Sequence, residues 1–172
     1  MGTLHTLKVV AFDVDGVLTD GTIYYGPYGD CLKGFSARDG MGISCLHAAG
    51  IKTAIITGRR SSMVERRAAD LHIGYVFQGV GRKVEGVSRL CEVAAVNTDE
   101  IAYMGDDIND LPVIGQVAFT GAPADACAEV KDNADLVVSA RGGHGAVREF
   151  CEYILKARDQ WDTVLQMYEL NQ

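Results

Sequence analysis

The sequence predicts an α/β fold built on a parallel sheet that helices cover on both faces. Two observations carry this. Short, almost unbroken apolar runs alternate with longer runs at helical spacing along the 172 residues, and a strand without a polar face must be buried on both sides. Clusters of Asp, Thr, Gly and Lys fall directly after the apolar runs, where an open parallel sheet holds its ligands.

Strands are expected at 7–12, 52–56, 75–77, 101–104, 117–119 and 136–138, from their Val, Ile, Ala and aromatic content. Helices are expected between and after them, near 39–49, 61–72, 82–95, 109–114, 124–130 and 145–158. One region breaks the alternation. Thr22-Ile23-Tyr24-Tyr25 and Cys31-Leu32-Lys33-Gly34-Phe35 flank the turn-rich Gly26-Pro27-Tyr28-Gly29-Asp30, so 21–35 reads as a β-hairpin insertion. In the tail, 157–172, Trp161, Val164, Leu165 and Tyr168 fall at i, i+3, i+4 and i+7, a helical stripe. The sum is a Rossmann-like three-layer fold.

Composition narrows the function. Hydrophobic residues make up 48% and the net charge is −7. A general nucleic-acid binder would carry a basic surface instead, and an anionic substrate would need positive charge gathered locally. Cys31, Cys45, Cys91, Cys127 and Cys151 are odd in number and contain no C-x-x-C pair, which suits free thiols in a reducing cytosol. No run is long and apolar enough to cross a bilayer, and the N-terminus has no apolar signal region. A soluble cytoplasmic protein is expected. Met1-Gly2 with Thr6 formally matches a myristoylation pattern, a match short enough to arise by chance.

Four motifs follow four strands. Asp13-Val14-Asp15-Gly16 follows the first. In extended backbone Asp13 and Asp15 point to one side, and their repulsion is relieved by a hard divalent cation such as Mg²⁺. One carboxylate can then attack phosphorus while the other manages the leaving-group proton; the plainer reading is a pair of turn aspartates. Thr57-Gly58-Arg59-Arg60 follows the second strand, offering a hydroxyl and open amides before a helix start, or an ordinary turn. Lys83 opens the next helix and can neutralise phosphate, or simply be solvated. Gly105-Asp106-Asp107-Ile108-Asn109-Asp110 follows the fourth strand. Its carboxylates suit a metal, and one of them suits a helix cap. Neighbouring carboxylates are expected to raise the pKa of Asp15, as a general acid requires.

In this order the motifs resemble the haloacid dehalogenase superfamily of phosphatases. The resemblance implies Asp13 as covalent nucleophile, Asp15 as acid then base, and Thr57 and Lys83 on the phosphoryl group. It implies Mg²⁺ held by Asp13, the backbone carbonyl of Asp15, and Asp106, with Asp107 in support. The spaces between the motifs are too short for a folded cap domain. The chain therefore reads as one phosphatase domain, 1–172, whose site stays open unless the substrate is large or neighbouring subunits close it.

A closer resemblance runs almost end to end. Asp13 to Gly21, Arg38-Asp39-Gly40-Met41-Gly42-Ile43, Ile56 to Arg60, Gly105-Asp106-Asp107, and Gly142-Gly143-His144-Gly145-Ala146-Val147-Arg148-Glu149 resemble the 3-deoxy-D-manno-octulosonate 8-phosphate phosphatase family, capless tetramers in which the hairpin mediates assembly. That implies a phosphorylated sugar acid as substrate. Val64, Ala68 and Leu71 form the apolar face of the helix after Thr57, with Arg67 beside it. Arg59 and Arg67 can thus converge on a substrate carboxylate, the role the resemblance assigns them; the plainer reading of Arg67 is a solvated helix charge. Phosphatases of nine-carbon sugar acids tend to carry Glu at the Arg59 position, and His144 stands where many octulosonate phosphatases carry Arg or Lys. A non-enzymatic tetramerisation module is the remaining alternative, and the intact set Asp13, Asp15, Lys83 and Asp106 argues against it.

Overall fold

The computed structural model describes residues 3–170; the Met1-Gly2 pattern and the last two residues of the tail lie outside them. In chain order the elements are β1 (Val9–Phe12), the hairpin strands β2 (Tyr24–Gly26) and β3 (Gly29–Leu32), α1 (Ala37–Ala48), β4 (Lys52–Thr57), α2 (Ser62–Asp70), β5 (Tyr75–Gln78), α3 (Lys83–Ala94), β6 (Ile101–Met104), β7 (Phe119–Ala122), α4 (Ala128–Asn133), β8 (Leu136–Val137), α5 (Ala146–Ala157) and α6 (Trp161–Leu170). Six strands form one sheet in the order β5-β4-β1-β6-β7-β8, every pairing parallel. The antiparallel pair β2-β3 stands apart.

The alternation of side chains splits the core between the two faces. Val10, Phe12, Ile55, Ala102 and Met104 join Ile43, Leu46, Val64, Ala68, Phe150 and Ile154 on the face of α1, α2 and α5. Val9, Ala11, Ala54, Ile56, Ile101 and Tyr103 join Val87 and Leu90 of α3 on the other. The inner strands β1, β6 and β7, and β4 beyond Lys52, are buried on both faces, and this is why they read as continuous apolar runs. Among the described residues no helix is long and apolar enough to cross a membrane.

Three expectations need correction. No helix forms over 109–114; the segment is a series of turns. Asp110 turns its carboxylate back onto the amides of Asp106 and Asp107 at 3.0 and 3.3 Å, a local bond that competes with helix, and Pro112 has no N–H to donate. The strand expected at 117–119 begins only at Phe119. The helix expected at 124 begins at Ala128, because Pro123 to Ala126 form a turn whose Asp125 binds the Gly142 amide at 2.9 Å.

The tail helix α6 packs on α5 and α1. Val164 is buried, and the Trp161 ring lies 5.4 Å from both the Arg148 guanidinium and the Lys156 ammonium. Leu165 and Tyr168 stay exposed, so only part of the stripe is covered within the chain.

Candidate active site

β1 pairs with β4 on one side and β6 on the other, so the loops after these three strands meet at one point. The first loop is a kinked helical turn. Asp13 begins it, with Oδ1 accepting from the Val14 amide at 2.7 Å. Gly16 follows at φ +87°, and a Cβ there would lie 1.9 Å from Asp106 Oδ2, so only glycine lets the loops approach this closely. Gly142 is constrained likewise: its Cβ would fall 1.9 Å from the Gly16 carbonyl. His144, two residues on, is exposed.

Lys83, the first residue of α3, is buried beneath the cleft. Its Nζ lies 2.6 Å from Asp13 Oδ2 and 3.1 Å from Asp110 Oδ1, and it donates to the Ile56 carbonyl at 3.0 Å. The Tyr103 hydroxyl donates to Asp110 Oδ1 at 2.6 Å; burial and the Asp110 charge push the phenol pKa well up, so it stays protonated. Asp110 Oδ2 holds the amides of Asp106 and Asp107. One fully buried carboxylate thus orients both the lysine and the acidic loop. The Asp107 carboxylate accepts from the Ile108 amide at 2.8 Å, and the bonds that orient the acidic loop are those of Asp110.

Asp106 has a buried Oδ1 without a hydrogen-bond partner. Burial, then the charges of Asp13, Asp110 and Asp107, raise its pKa to about 8. Burial also raises Asp13, against the pull of Lys83, to about 6. Carboxylate oxygens of Asp13, Asp106 and Asp110 lie within 4.8 Å of one another. An orphaned oxygen among crowded carboxylates fits a hard cation with oxygen ligands. Asp110 already spends its oxygens on four donors, whereas Asp13 has one partner on each oxygen and Asp106 Oδ1 has none, so Asp13 and Asp106 keep lone pairs that can hold the ion.

Asp15 sits differently. The charges facing its carboxylate are the cations Lys33 and Arg59, not the crowd of carboxylates expected from the sequence. Lys33 follows β3 directly, is buried, and pairs with Asp15 Oδ1. Arg59 Nε lies 3.7 Å from Asp15 Oδ2. The Arg59 guanidinium also donates to Asp30 Oδ1 at 2.7 Å and lies over the Tyr25 ring at 5.8 Å. The hairpin therefore touches both partners of the acid/base candidate.

A cleft of about 260 Å³ is lined by Asp13, Asp15, Thr57, Gly58, Arg59, Asp106, Asp107 and Asn109, with Gly21 and Ile23 at its side. Most of the residues anticipated from sequence come together here, with Lys83 directly under Asp13. Arg67 does not line the cleft; its guanidinium donates to the Ser36 carbonyl at 3.1 Å and lies over the Phe35 ring. Sequence reasoning missed Lys33, Tyr103 and the anchoring part of Asp110. Only Asp110 left a signal, its D-D-x-x-D spacing. The arrangement offers a nucleophilic carboxylate over a buried ammonium, a second carboxylate for proton transfer, and a cation-fitting pair.

Comparisons with known proteins place the chain among hydrolases of one family. The family described as haloacid dehalogenase-like hydrolase matches residues 36–117. The 3-deoxy-D-manno-octulosonate 8-phosphate phosphatase KdsC of Escherichia coli is 43% identical over 162 residues, 94% of this chain and 86% of that protein. The structure of 3-deoxy-D-manno-octulosonate 8-phosphate phosphatase from Moraxella catarrhalis, in complex with a magnesium ion, a phosphate ion and a KDO molecule, superposes with a TM-score of 0.92 at 37% identity, covering 96% of this chain and 95% of that one. The cobalt-bound deoxy-D-mannose-octulosonate 8-phosphate phosphatase of Haemophilus influenzae gives 0.89 at 42% identity, covering 92% and 93%.

Proposed function

From the premise that this chain belongs to the haloacid dehalogenase-like hydrolases, and within them to the 3-deoxy-D-manno-octulosonate 8-phosphate phosphatases, we propose the following reading. The chain hydrolyses 3-deoxy-D-manno-octulosonate 8-phosphate to the free sugar acid and inorganic phosphate, with Mg²⁺ as cofactor. The observation that carries the mechanism is Asp13 over buried Lys83 in a cleft shared with Asp15 and Asp106.

Asp13 attacks phosphorus through the carboxylate that Lys83 steadies, and the bond to the sugar oxygen breaks. Asp15 gives that oxygen a proton, then takes one from the water that opens the aspartyl-phosphate. Thr57 and the Gly58 backbone bind the phosphoryl oxygens. Asp13, Asp106 and the Asp15 carbonyl hold Mg²⁺, which when bound offsets the repulsion between nucleophile and phosphate. Arg59 receives the substrate carboxylate, exchanging its bond to Asp30 for one to the ligand; Arg67 joins it only if it leaves the Ser36 carbonyl.

Among the described residues no folded cap domain covers the cleft, which opens directly to solvent. That supports a site completed by neighbouring subunits of a homotetramer. The hairpin 21–35 and tail 157–172 are then the assembly elements of a single phosphatase domain. Tyr25 and Tyr28, 71% and 102% exposed, with Leu32, are apolar surface that assembly would cover. Five free cysteines support a cytoplasmic location, and the substrate places the enzyme in lipopolysaccharide precursor synthesis. Phosphate release, with Mg²⁺ and with EDTA, across eight- and nine-carbon 2-keto sugar acid phosphates tests this. Metal-dependent preference for the eight-carbon acid is expected; preference for a nine-carbon acid would overturn the substrate.

A further inference from the structure

We propose that the end of the sheet remote from the catalytic cleft, where the strands begin, carries a second site, which binds a phosphate group, free or borne on a small molecule. β4 links the two places: Thr57 lies at one end in the cleft, and Lys52 opens the other, about 17 Å away along the strand. A cavity of about 390 Å³ opens there, lined by His47, Ile51, Lys52, Thr53, His72 and Tyr75 among others, with no carboxylate in its walls.

The polar groups here can all donate to a ligand. His47 Nε2 is fixed 2.7 Å from the Thr53 hydroxyl. The Lys52 ammonium sits over the Tyr75 ring, 5.9 Å from its centre and 3.4 Å from its hydroxyl. No described carboxylate pairs with Lys52. The contrast lies next door, in a cavity of about 360 Å³ that shares Gly50, Ile51 and Lys52. There Lys8 is paired with Glu100 at 2.6 Å, and Arg158 donates to the Leu7 carbonyl at 3.3 Å. Among the described residues Lys52 is thus the lysine without a carboxylate partner at this end of the sheet.

In a chain of net charge −7, an ammonium, two imidazoles and a phenol facing one cavity without a counter-charge favour an anion. A tetrahedral dianion can accept from several of these donors together, each a charge-assisted or near-neutral bond. Burial and the nearby His72 hold the His47 pKa down, and an anion between the two rings would relieve that repulsion. Ile51 and the glycines beside it leave room for a small organic body.

The test is a titration of the full chain, in EDTA so that no ester is hydrolysed, followed by the imidazole signals of its four histidines. Inorganic phosphate should shift His47 and His72 together and saturably. Lys52→Met should weaken that binding about tenfold. Shifts that rise linearly, movement confined to His144, or unchanged affinity in Lys52→Met would overturn the site. Glycerol 3-phosphate binding tighter than inorganic phosphate would identify an ester as the ligand, and the reverse order would identify free phosphate.

Discussion

Lys33 reaches from the end of the hairpin to the carboxylate of Asp15, and both partners are largely withdrawn from water. An ion pair therefore ties the hairpin to the proposed acid/base residue. Lys33→Met should leave Asp15 without its orienting partner. We expect kcat on the sugar phosphate to fall about 10–100-fold. The loss should be much smaller on p-nitrophenyl phosphate, whose phenolate leaves without a proton. Equal losses on both substrates would mean that Lys33 only holds the fold.

Asp110 and Asp107 should separate sharply. Asp110→Ala strands two amides, the Tyr103 hydroxyl and part of the Lys83 charge in the interior. Unfolding by urea should show a loss of about 3–5 kcal/mol, with weaker Mg²⁺ binding. Asp107→Ala removes one exposed local bond and should cost less than about 1 kcal/mol. Similar costs for the two would contradict the anchoring part of Asp110.

The carboxyl pKa values set a pH dependence with a definite sign. In the metal-free chain Asp106 is raised to about 8 and Asp13 to about 6, against 3.8 for each as a free group. The folded state then binds more protons than the unfolded one between these values. Their contribution is fully present below the free-group value and is lost as pH rises through about 6 and then about 8. Thermal unfolding in EDTA should therefore show stability falling from pH 4 to pH 8, by on the order of a few kcal/mol. The gain on adding Mg²⁺ should grow over the same range, since the ligands must lose protons to bind. A flat melting temperature in EDTA would refute the crowding of these carboxylates.

Much of this was legible in the sequence, for physical reasons. β6 and β4 are apolar on both faces, so their runs stood out, and the aspartates, Thr57 and Lys83 follow strands closely enough for order alone to suggest a shared site. What was not legible depends on contacts made by folding. Nothing local marks Lys33 as buried, because its partner lies 18 residues back. The sequence offered a helix cap somewhere in this loop but not the anchoring part of Asp110, which rests on its contacts with Tyr103 and Lys83 from other elements. The helical spacing of Arg67 placed it beside the apolar face of α2, but the Ser36 carbonyl and Phe35 ring hold it there, away from the cleft.

The most direct test is whether phosphate passes through Asp13. Rapid acid quench of the Mg²⁺-loaded enzyme during turnover of 3-deoxy-D-manno-octulosonate 8-phosphate, followed by peptide mass spectrometry, should find a phosphoryl group on Asp13. Asp13→Asn should keep the melting behaviour of a folded chain and lose turnover by about 10³-fold or more. An unmodified Asp13 together with near-normal turnover in Asp13→Asn would contradict the account.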